Sequence, residues 1–375
     1  MPAVQIEFVR PRILLYRLFD VASEIRLDRA RELLAGAATP LKLSRDRSRY
    51  LEIPEAPLTV HLGAREVTLE SGRTCSLDAF ARCFHFGVMS VRYEAELPSP
   101  ARGMDVASLC REFEDSQMLG DHARREVEQL AGRLGAALES PHTWAGLETY
   151  TVLLGSAASG VVSLASLNQT EAIARILLAE TSPEPLSAQE IADATQHWYS
   201  YAENDLCVVD WNSAVVIAPD ASRDIPDILE FATAQLLEFR YYDDLVDREM
   251  EALHDLLALQ QRKRTFGLLG GPYRRLSRKL NRRLVETVEF VERVDNAIKV
   301  VADSYLARVY QGALRSFRVP EWQAGVLRKQ DLIRQVSEVL MGESQARLGH
   351  VLEAVVVLLI LYEIVAPLIR SVWLR

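Results

Sequence analysis

The feature that most narrows the folds open to this chain is the stretch from Ile228 to Gln261, which contains neither proline nor glycine. Its apolar residues recur at three- and four-residue spacing through Leu229, Leu236, Phe239, Leu245, Met250, Leu253 and Leu257. That period lays one apolar stripe along an α-helix. A single long helix is therefore predicted from Ile225 onward. Just upstream, LCVVDW and SAVVIAP read as two β-branched strands of one sheet, separated by a polar step at Asn212 and ended by Pro219. Downstream, RKRTFGLLGGPYRRLSRKLNRR interrupts the helix with Gly267, Gly270, Gly271 and Pro272 and masses basic residues, as a connector would. A second long helix is expected through Val291, Val294, Ile298, Val301 and Tyr305, closed at Val319-Pro320, and a third from Glu321 to Leu340. Short connections make the last two antiparallel neighbours, so a coiled-coil-like hairpin or three-helix stalk is predicted.

The first half of the chain has a different texture. ILLYRLF reads as a first strand, Asp28 to Leu34 as a helix, and LTVHL with EVTL as a hairpin turning at Gly63-Ala64-Arg65. AFARCFHFGVMSVRYEAEL, with Gly87 in its middle, reads as two strands or one bent strand closed by Pro98 and Pro100. Asp105 to Leu138 has the spacing of two helices interrupted at Gly120. TVLLGSAASGVVSLASL is apolar but rich in glycine and serine, which favours a buried strand pair over a membrane span. Ser187 and Glu190 have capping-box spacing, predicting a helix from Ser187 to about Tyr199.

With 375 residues the chain can build two domains and a substantial core. A formal net charge of -9 argues against a surface evolved to wrap DNA and confines any nucleic-acid contact to a local patch. Cys75, Cys83, Cys110 and Cys207 form no CxxC pair, so neither a zinc site nor a disulfide framework is suggested. The N-terminus lacks the pattern of a signal peptide, which points to a body in the cytoplasm.

At the other end, VLEAVVVLLILYEIVAPLI, Val351 to Ile369, approaches the roughly 20 apolar residues needed to cross a bilayer. Read as a single C-terminal transmembrane helix, it anchors the protein through Leu352, Val356, Leu359, Ile360, Ile364 and Leu368, with Arg347, Arg370, Trp373 and Arg375 at the interfaces. Glu353 and Glu363 interrupt it, near one interface and off centre respectively. The competing reading is a core helix or an oligomer seam whose carboxylates pair with basic residues. The anchor reading gives a tail-anchored protein located at a membrane, the inner one if the source is bacterial.

ENDLCVVDWNSAVVIAPDASRDIPDILEFATAQLLEFRYYDDLVD resembles the signature of the domain-of-unknown-function 155 family, the Rmd1/Sif2-like proteins. The resemblance continues through ERVDNAIKVVADSYLARVYQGALRSF, Trp322 and LEAVVVLLILYEIV, and so covers about the second half of the chain. It implies a membrane-anchored protein whose mitochondrial relative sits at the inner membrane and supports organellar translation, with a ribosome as a conceivable partner. The plan of α/β head, long helices and terminal apolar helix is also similar to CorA-class channels, although neither their second span nor their Gly-Met-Asn loop is present.

The densest polar constellation is Glu230, Gln235, Glu238, Arg240, Asp243, Asp244 and Asp247, all on the long predicted helix. Several of these share a side at about 100° per residue. They form a candidate interaction or divalent-cation face, weighed against a network of i to i+4 ion pairs. Arg274, Arg275, Arg278 and Lys279 in the basic connector are candidate contacts for phosphate, on lipid or RNA. Asp205 and Asp210 flank a strand, where turn roles are commoner than acid–base roles. GxSxG, a P-loop lysine, HExxH and a strand-linked GxGxxG are all missing. No catalytic residue, cofactor or metal is therefore assigned.

The expectation is an α+β protein with an α/β head over residues 1–224, a helical hairpin over 225–346 and a membrane anchor over 347–375. Its expected role is that of a non-enzymatic, membrane-tethered scaffold, homo-oligomeric through the stalk and without DNA as a partner. The alternative is a CorA-like oligomeric conduit or sensor for divalent cations.

Overall fold

The computed structural model describes residues 7–43, 51–157, 167–220, 222–262, 291–292, 294, 296, 298–300 and 304–373. In chain order the elements begin with β1 (Glu7–Asp20), β2 (Glu24–Ile25), α1 (Leu27–Leu33), β3 (Ala38–Pro40) and β4 (Leu51–Glu52). They continue with β5 (Leu58–Thr68), β6 (Thr74–Cys83), β7 (Val88–Glu96), β8 (Ala101–Arg102), α2 (Gly103–Glu114) and α3 (Gln117–Leu134). Next come β9 (Leu138–Glu139), β10 (Glu148–Ala157), α4 (Leu167–Leu177), α5 (Ala188–Ala194), β11 (His197–Tyr199), β12 (Leu206–Val209) and β13 (Ser213–Ile217). The last are α6 (Asp224–Arg262), β14 (Lys299–Val300), α7 (Tyr305–Ser316) and α8 (Val319–Trp373).

A ten-stranded sheet runs in the order β11-β12-β13-β10-β1-β7-β6-β5-β3, with β8 pairing β1 off this path. Only β10 with β13 is parallel; the other pairings are antiparallel. The central strand β1 is buried on both sides, and side chains alternate between the faces. Ile13, Leu15 and Phe19 share an apolar cluster with Val91 and Tyr93 of β7, Phe113 of α2, Val127 of α3 and Ile173 of α4. Leu14, Tyr16, Leu18 and Asp20 point to the opposite face, on the side of α6, where Phe84 and Phe86 meet Phe231 edge-on. On that same side Tyr150 of β10 meets Phe317 at 5.1 Å.

The chain divides into two compact units. The first holds residues 1–241 and 292–323, and thus the whole sheet; the second holds 242–291 and 324–375. In the second, Lys329 of α8 reaches Asp243 at 2.6 Å and Asp247 at 2.8 Å on α6.

Several local expectations hold. The N-terminal run is a strand, α6 is one long helix, and the Asp105–Leu138 segment is two helices, although they part at Asp115–Ser116 and Gly120 lies inside α3. Phe84 to Gly87 turns between β6 and β7, and Gly87 is irreplaceable there. Its φ is +101°, and a Cβ would sit 1.8 Å from the carbonyl oxygen of Ala22.

Others are corrected. LTVHL and EVTL form no hairpin: β5 runs through both, and Gly63, at φ +97°, makes a bulge against β6. Ser187 caps as expected, its Oγ accepting from Glu190 N at 3.1 Å, but the helix stops at Ala194 and residues 197–199 form β11. The second long helix is also broken. Lys299 and Val300 pair with β4, and the helix that follows starts at Tyr305 under a Ser304 cap. Pro320 opens α8 rather than closing a helix, as its fixed φ and missing N–H allow in a first turn.

The largest correction concerns the C-terminus. Among the described residues no helix is long and apolar enough to cross a membrane. Glu353 and Glu363 leave only Ala354–Tyr362 uninterrupted between them, about 14 Å of helix against a hydrocarbon core of about 30 Å. The transmembrane helix, the tail anchor and the membrane location expected from the sequence are therefore not supported. The fold is a mixed α/β structure with one large sheet and helices. Residues 352–363 instead continue a single helix that began at Val319.

Candidate functional site

The side-chain constellation with the strongest electrostatics lies between the sheet and the part of α6 within the first unit. Cross-strand pairing sets it up. Tyr16 of β1 lies opposite Arg92 of β7, and Leu18 opposite Ser90, which in turn faces Arg82 of β6. Tyr16, Ser90, Arg82 and Arg92 consequently share one face, and both arginines are almost wholly buried. Two buried guanidiniums need anions close by. Asp227 and Glu230, one helical turn apart on α6, supply them.

Arg82 grips both carboxylates, Nη1 on Glu230 Oε2 at 2.5 Å and Nη2 on Asp227 Oδ1 at 2.9 Å, while its Nε donates to Thr59 Oγ1. Arg92 lies 3.5 Å from Asp227 Oδ1, 3.9 Å from Glu230 Oε2 and 3.0 Å from Glu94 Oε1, with its guanidinium 4.8 Å above the Phe80 ring. Arg223, just before α6, closes the set on Glu94 Oε2. Burial alone would lower the Arg82 pKa, but Asp227 and Glu230 outweigh it and hold the guanidinium above its ordinary range. Burial raises Glu230, against the opposing pull of Arg82 and Arg92. Burial and the Glu230 charge together push the Tyr16 hydroxyl far up. The arrangement clamps a helix onto a sheet and holds its carboxylates as ion-pair partners.

This splits the seven-residue face expected from the sequence. Glu230, Gln235 and Glu238 are buried. Gln235 donates to Val294 O at 2.8 Å and accepts from the Tyr310 hydroxyl at 2.6 Å, which ties α6 to α7. Arg240 pairs with Glu148 of β10 and lies 5.9 Å from the Trp322 ring. Asp243 and Asp247 are bound to Lys329, while Asp244 makes an exposed i to i+4 pair with Arg248. Glu230, Gln235, Arg240, Asp243, Asp244 and Asp247 thus meet partners on several elements rather than forming one surface.

Arg274, Arg275, Arg278 and Lys279 lie outside the described residues, as do the side chains of Ile364 and Leu368. Leu352, Val356, Leu359 and Ile360 are exposed. Asp205 has a turn role, its Oδ1 accepting from the backbone N–H of Tyr201 and Ala202. Burial raises the Asp210 carboxyl, and its backbone carbonyl accepts from the Tyr150 hydroxyl.

Sequence reading missed a second buried pair. Asp20, at the end of β1, has a fully buried side chain, and His142 Nε2 approaches its Oδ1 at 3.0 Å. The other ring nitrogen, Nδ1, lies 3.2 Å from Ser140 O, and the ring stacks on Tyr241 at 4.4 Å. Both imidazole nitrogens thus face acceptors, an arrangement that fixes a loop rather than presenting a base to a substrate. Asp20 and His142 stand 122 positions apart in sequence, with no spacing rule to join them. A cleft of about 330 Å³ lies in the same unit, lined by Glu24, Pro54, Glu55, His85, Asn296 and Lys299. Among the described residues no group of three or more His, Cys, Asp or Glu side chains is placed to hold a metal ion.

Residues 10–223 match the family described as "Uncharacterized protein MJ0711, N-terminal domain", and the chain belongs to that family. It is similar to "Uncharacterized protein MJ0711" of Methanocaldococcus jannaschii, 25% identical over 229 residues that cover 60% of this chain and 67% of that protein. No solved structure matches the chain.

Proposed function

We propose that this member of the MJ0711 N-terminal-domain family is a non-enzymatic scaffold that associates with further copies of itself through α8. One observation carries the reading: Leu352, Val355, Leu358, Leu359, Ile360, Leu361 and Tyr362 are each between 48% and 73% exposed. Single exposed apolar side chains are ordinary on a protein surface, whereas a contiguous run of them marks a contact surface. Val356, Val357 and Val365 extend this exposed run, and because consecutive positions point all around a helix, a partner lying along α8 covers one stripe of it. A second copy presents a surface of the same length and chemistry, the self-complementarity that symmetric assemblies use. The commitment of Asp227, Glu230, Asp243 and Asp247 to cationic partners supports a structural rather than catalytic use of the acidic constellation.

The resemblance of residues 203–247 to Rmd1/Sif2-like proteins supports a role beside the translation machinery, with the ribosome as the partner to test. Light scattering on the purified full chain decides the first part. An assembly of at least two 42.2 kDa chains is expected, reduced to one by Leu359→Glu with Ile360→Glu. A wild-type monomer, or an assembly indifferent to those substitutions, would remove the reading. Co-sedimentation with ribosomes tests the partner separately.

A further inference from the structure

A phenol has one hydrogen to give, and the Tyr93 hydroxyl has two acceptors in reach. Tyr93 of β7 is wholly buried within the apolar cluster, on the side of the sheet that α3 covers. Its Oη lies 2.6 Å from Nδ1 of His122 and 3.3 Å from the carbonyl oxygen of Leu119, three residues earlier on α3. That carbonyl has a second lone pair beyond its helical bond, so both positions are open to the hydroxyl. The other imidazole nitrogen, Nε2, lies 3.0 Å from Oε1 of Glu126, and the same oxygen receives Arg65 of β5 at 2.9 Å.

The carboxylate decides which nitrogen holds the hydrogen. A bare Nε2 would set its lone pair against an ionised oxygen 3.0 Å away, so the neutral ring is the tautomer with hydrogen on Nε2. Nδ1 is then an acceptor, and the donor at 2.6 Å is Tyr93. Adding a proton reverses that contact. Both ring nitrogens become donors, Nδ1–H points at Tyr93 Oη, and the hydroxyl hydrogen has to leave that line. Leu119 O is the acceptor within its reach.

We propose that Tyr93, His122 and Glu126 form a proton-binding site in which the Tyr93 hydroxyl is a two-position rotor, turned toward His122 when the ring is neutral and toward Leu119 when it is charged. The proton settles on Nδ1, and it enters past Glu126, whose side chain is 16% exposed. Every hydrogen in the network has an acceptor in either state, so acidification changes the pattern of bonds between α3 and β7 without stranding a donor. The charges facing the ring set the pH at which the rotor turns. Arg65 from β5 and Arg125 from α3 oppose a charged ring, Glu126 favours it, and Arg17 of β1 acts on Tyr93. Burial and Arg65 prevail, so His122 takes its proton below the ordinary 6.5, and the fold loses stability as pH falls from 6.5 towards that lowered value.

NMR of the full chain, labelled at histidine nitrogen and leucine carbonyl carbon and titrated from about pH 8 to about pH 4, tests both positions. At the alkaline end His122 should carry hydrogen on Nε2 alone. As the ring titrates, Nδ1 should gain hydrogen and the Leu119 carbonyl signal should move with the same midpoint. Tyr93→Phe keeps the ring and removes the rotor. In that variant the Leu119 signal should stay still, and the His122 pKa should fall by about 0.5–1, because the charged form loses a stronger hydrogen bond than the neutral form does. Arg65→Met, at the half-exposed end of the network, should raise the His122 midpoint and carry the Leu119 change with it. Hydrogen on Nδ1 of the neutral ring would place the hydroxyl on Leu119 at every pH and overturn the proposal. So would a Leu119 signal that moves equally in Tyr93→Phe, or one that fails to follow His122 in Arg65→Met.

Discussion

The two faces of the central sheet are built on different principles although the same strands supply both. On one face, Ile13, Leu15 and Phe19 of β1 join α2, α3 and α4 in an apolar cluster, and the one arginine of β1 on that side, Arg17, donates to the backbone carbonyls of Phe113 and Glu114 rather than to a carboxylate. On the other, Tyr16 of the same strand lies among buried arginines and carboxylates under α6, and Asp20 meets His142. The difference lies in how binding energy responds to change. An apolar interface loses stability in proportion to the volume removed, whereas an ion-paired interface loses most when one partner is removed and little when both are. The first face tolerates conservative repacking; the second specifies which helix lies on it and in which register.

The sharpest contrast comes from single truncations. Phe113→Ala on the apolar face and Glu230→Ala on the charged face should each cost about 3–5 kcal/mol in denaturant unfolding, by a cavity in one case and a stranded Arg82 in the other. Combining Arg82→Met with Glu230→Leu should then recover most of the Glu230→Ala loss, because Asp227 still faces Arg92 and no buried charge is left alone. If the double variant is as unstable as the single one, the two faces obey the same rule and the comparison fails.

A smaller effect is expected with pH. Burial holds the Asp20 carboxyl above its ordinary 3.8, against the opposing hydrogen bond from His142. A raised folded value means that this group's contribution is fully present below about pH 3.8 and is lost as pH climbs through the folded value. Urea midpoints of Asp20→Asn, measured from about pH 3 to about pH 7, should lack that decline, so that wild type loses ground to the variant as pH rises. The smallest effect belongs to the exposed Asp244–Arg248 pair, where Asp244→Ala should change stability by less than about 0.5 kcal/mol. A larger value would mean that charges outside the sheet interface matter more than their exposure suggests.

The reach of the sequence differed between these regions for a physical reason. Periodicity is a local property, so α2, α3, α6 and the β6–β7 turn at Gly87 were legible without coordinates. Glu230 was singled out as part of a charged helix, but as one member of an exposed face. Helical angle gives the side on which a residue lies, not what covers that side. Arg82 and Arg92 were not singled out at all, because an arginine within a strand looks the same whether solvent or a carboxylate 145 positions away receives it.

The C-terminal run shows the opposite error. Its apolar content was read as an anchor, whereas the carboxylates at 353 and 363 limit the uninterrupted stretch and the segment continues the helix that starts at Val319.

Taken alone, then, the sequence determined which segments are helices and strands over most of the sheet-bearing unit, and that α6 would be long. The tertiary structure decided that β5 is one bulged strand, that Asp20 meets His142, and that Asp227, Glu230, Asp243, Asp244 and Asp247 of α6 divide among Arg82, Arg92, Lys329 and Arg248. Those outcomes depend on contacts between residues far apart in the chain, whose energies exist only once the backbone has brought them together and excluded water from between them.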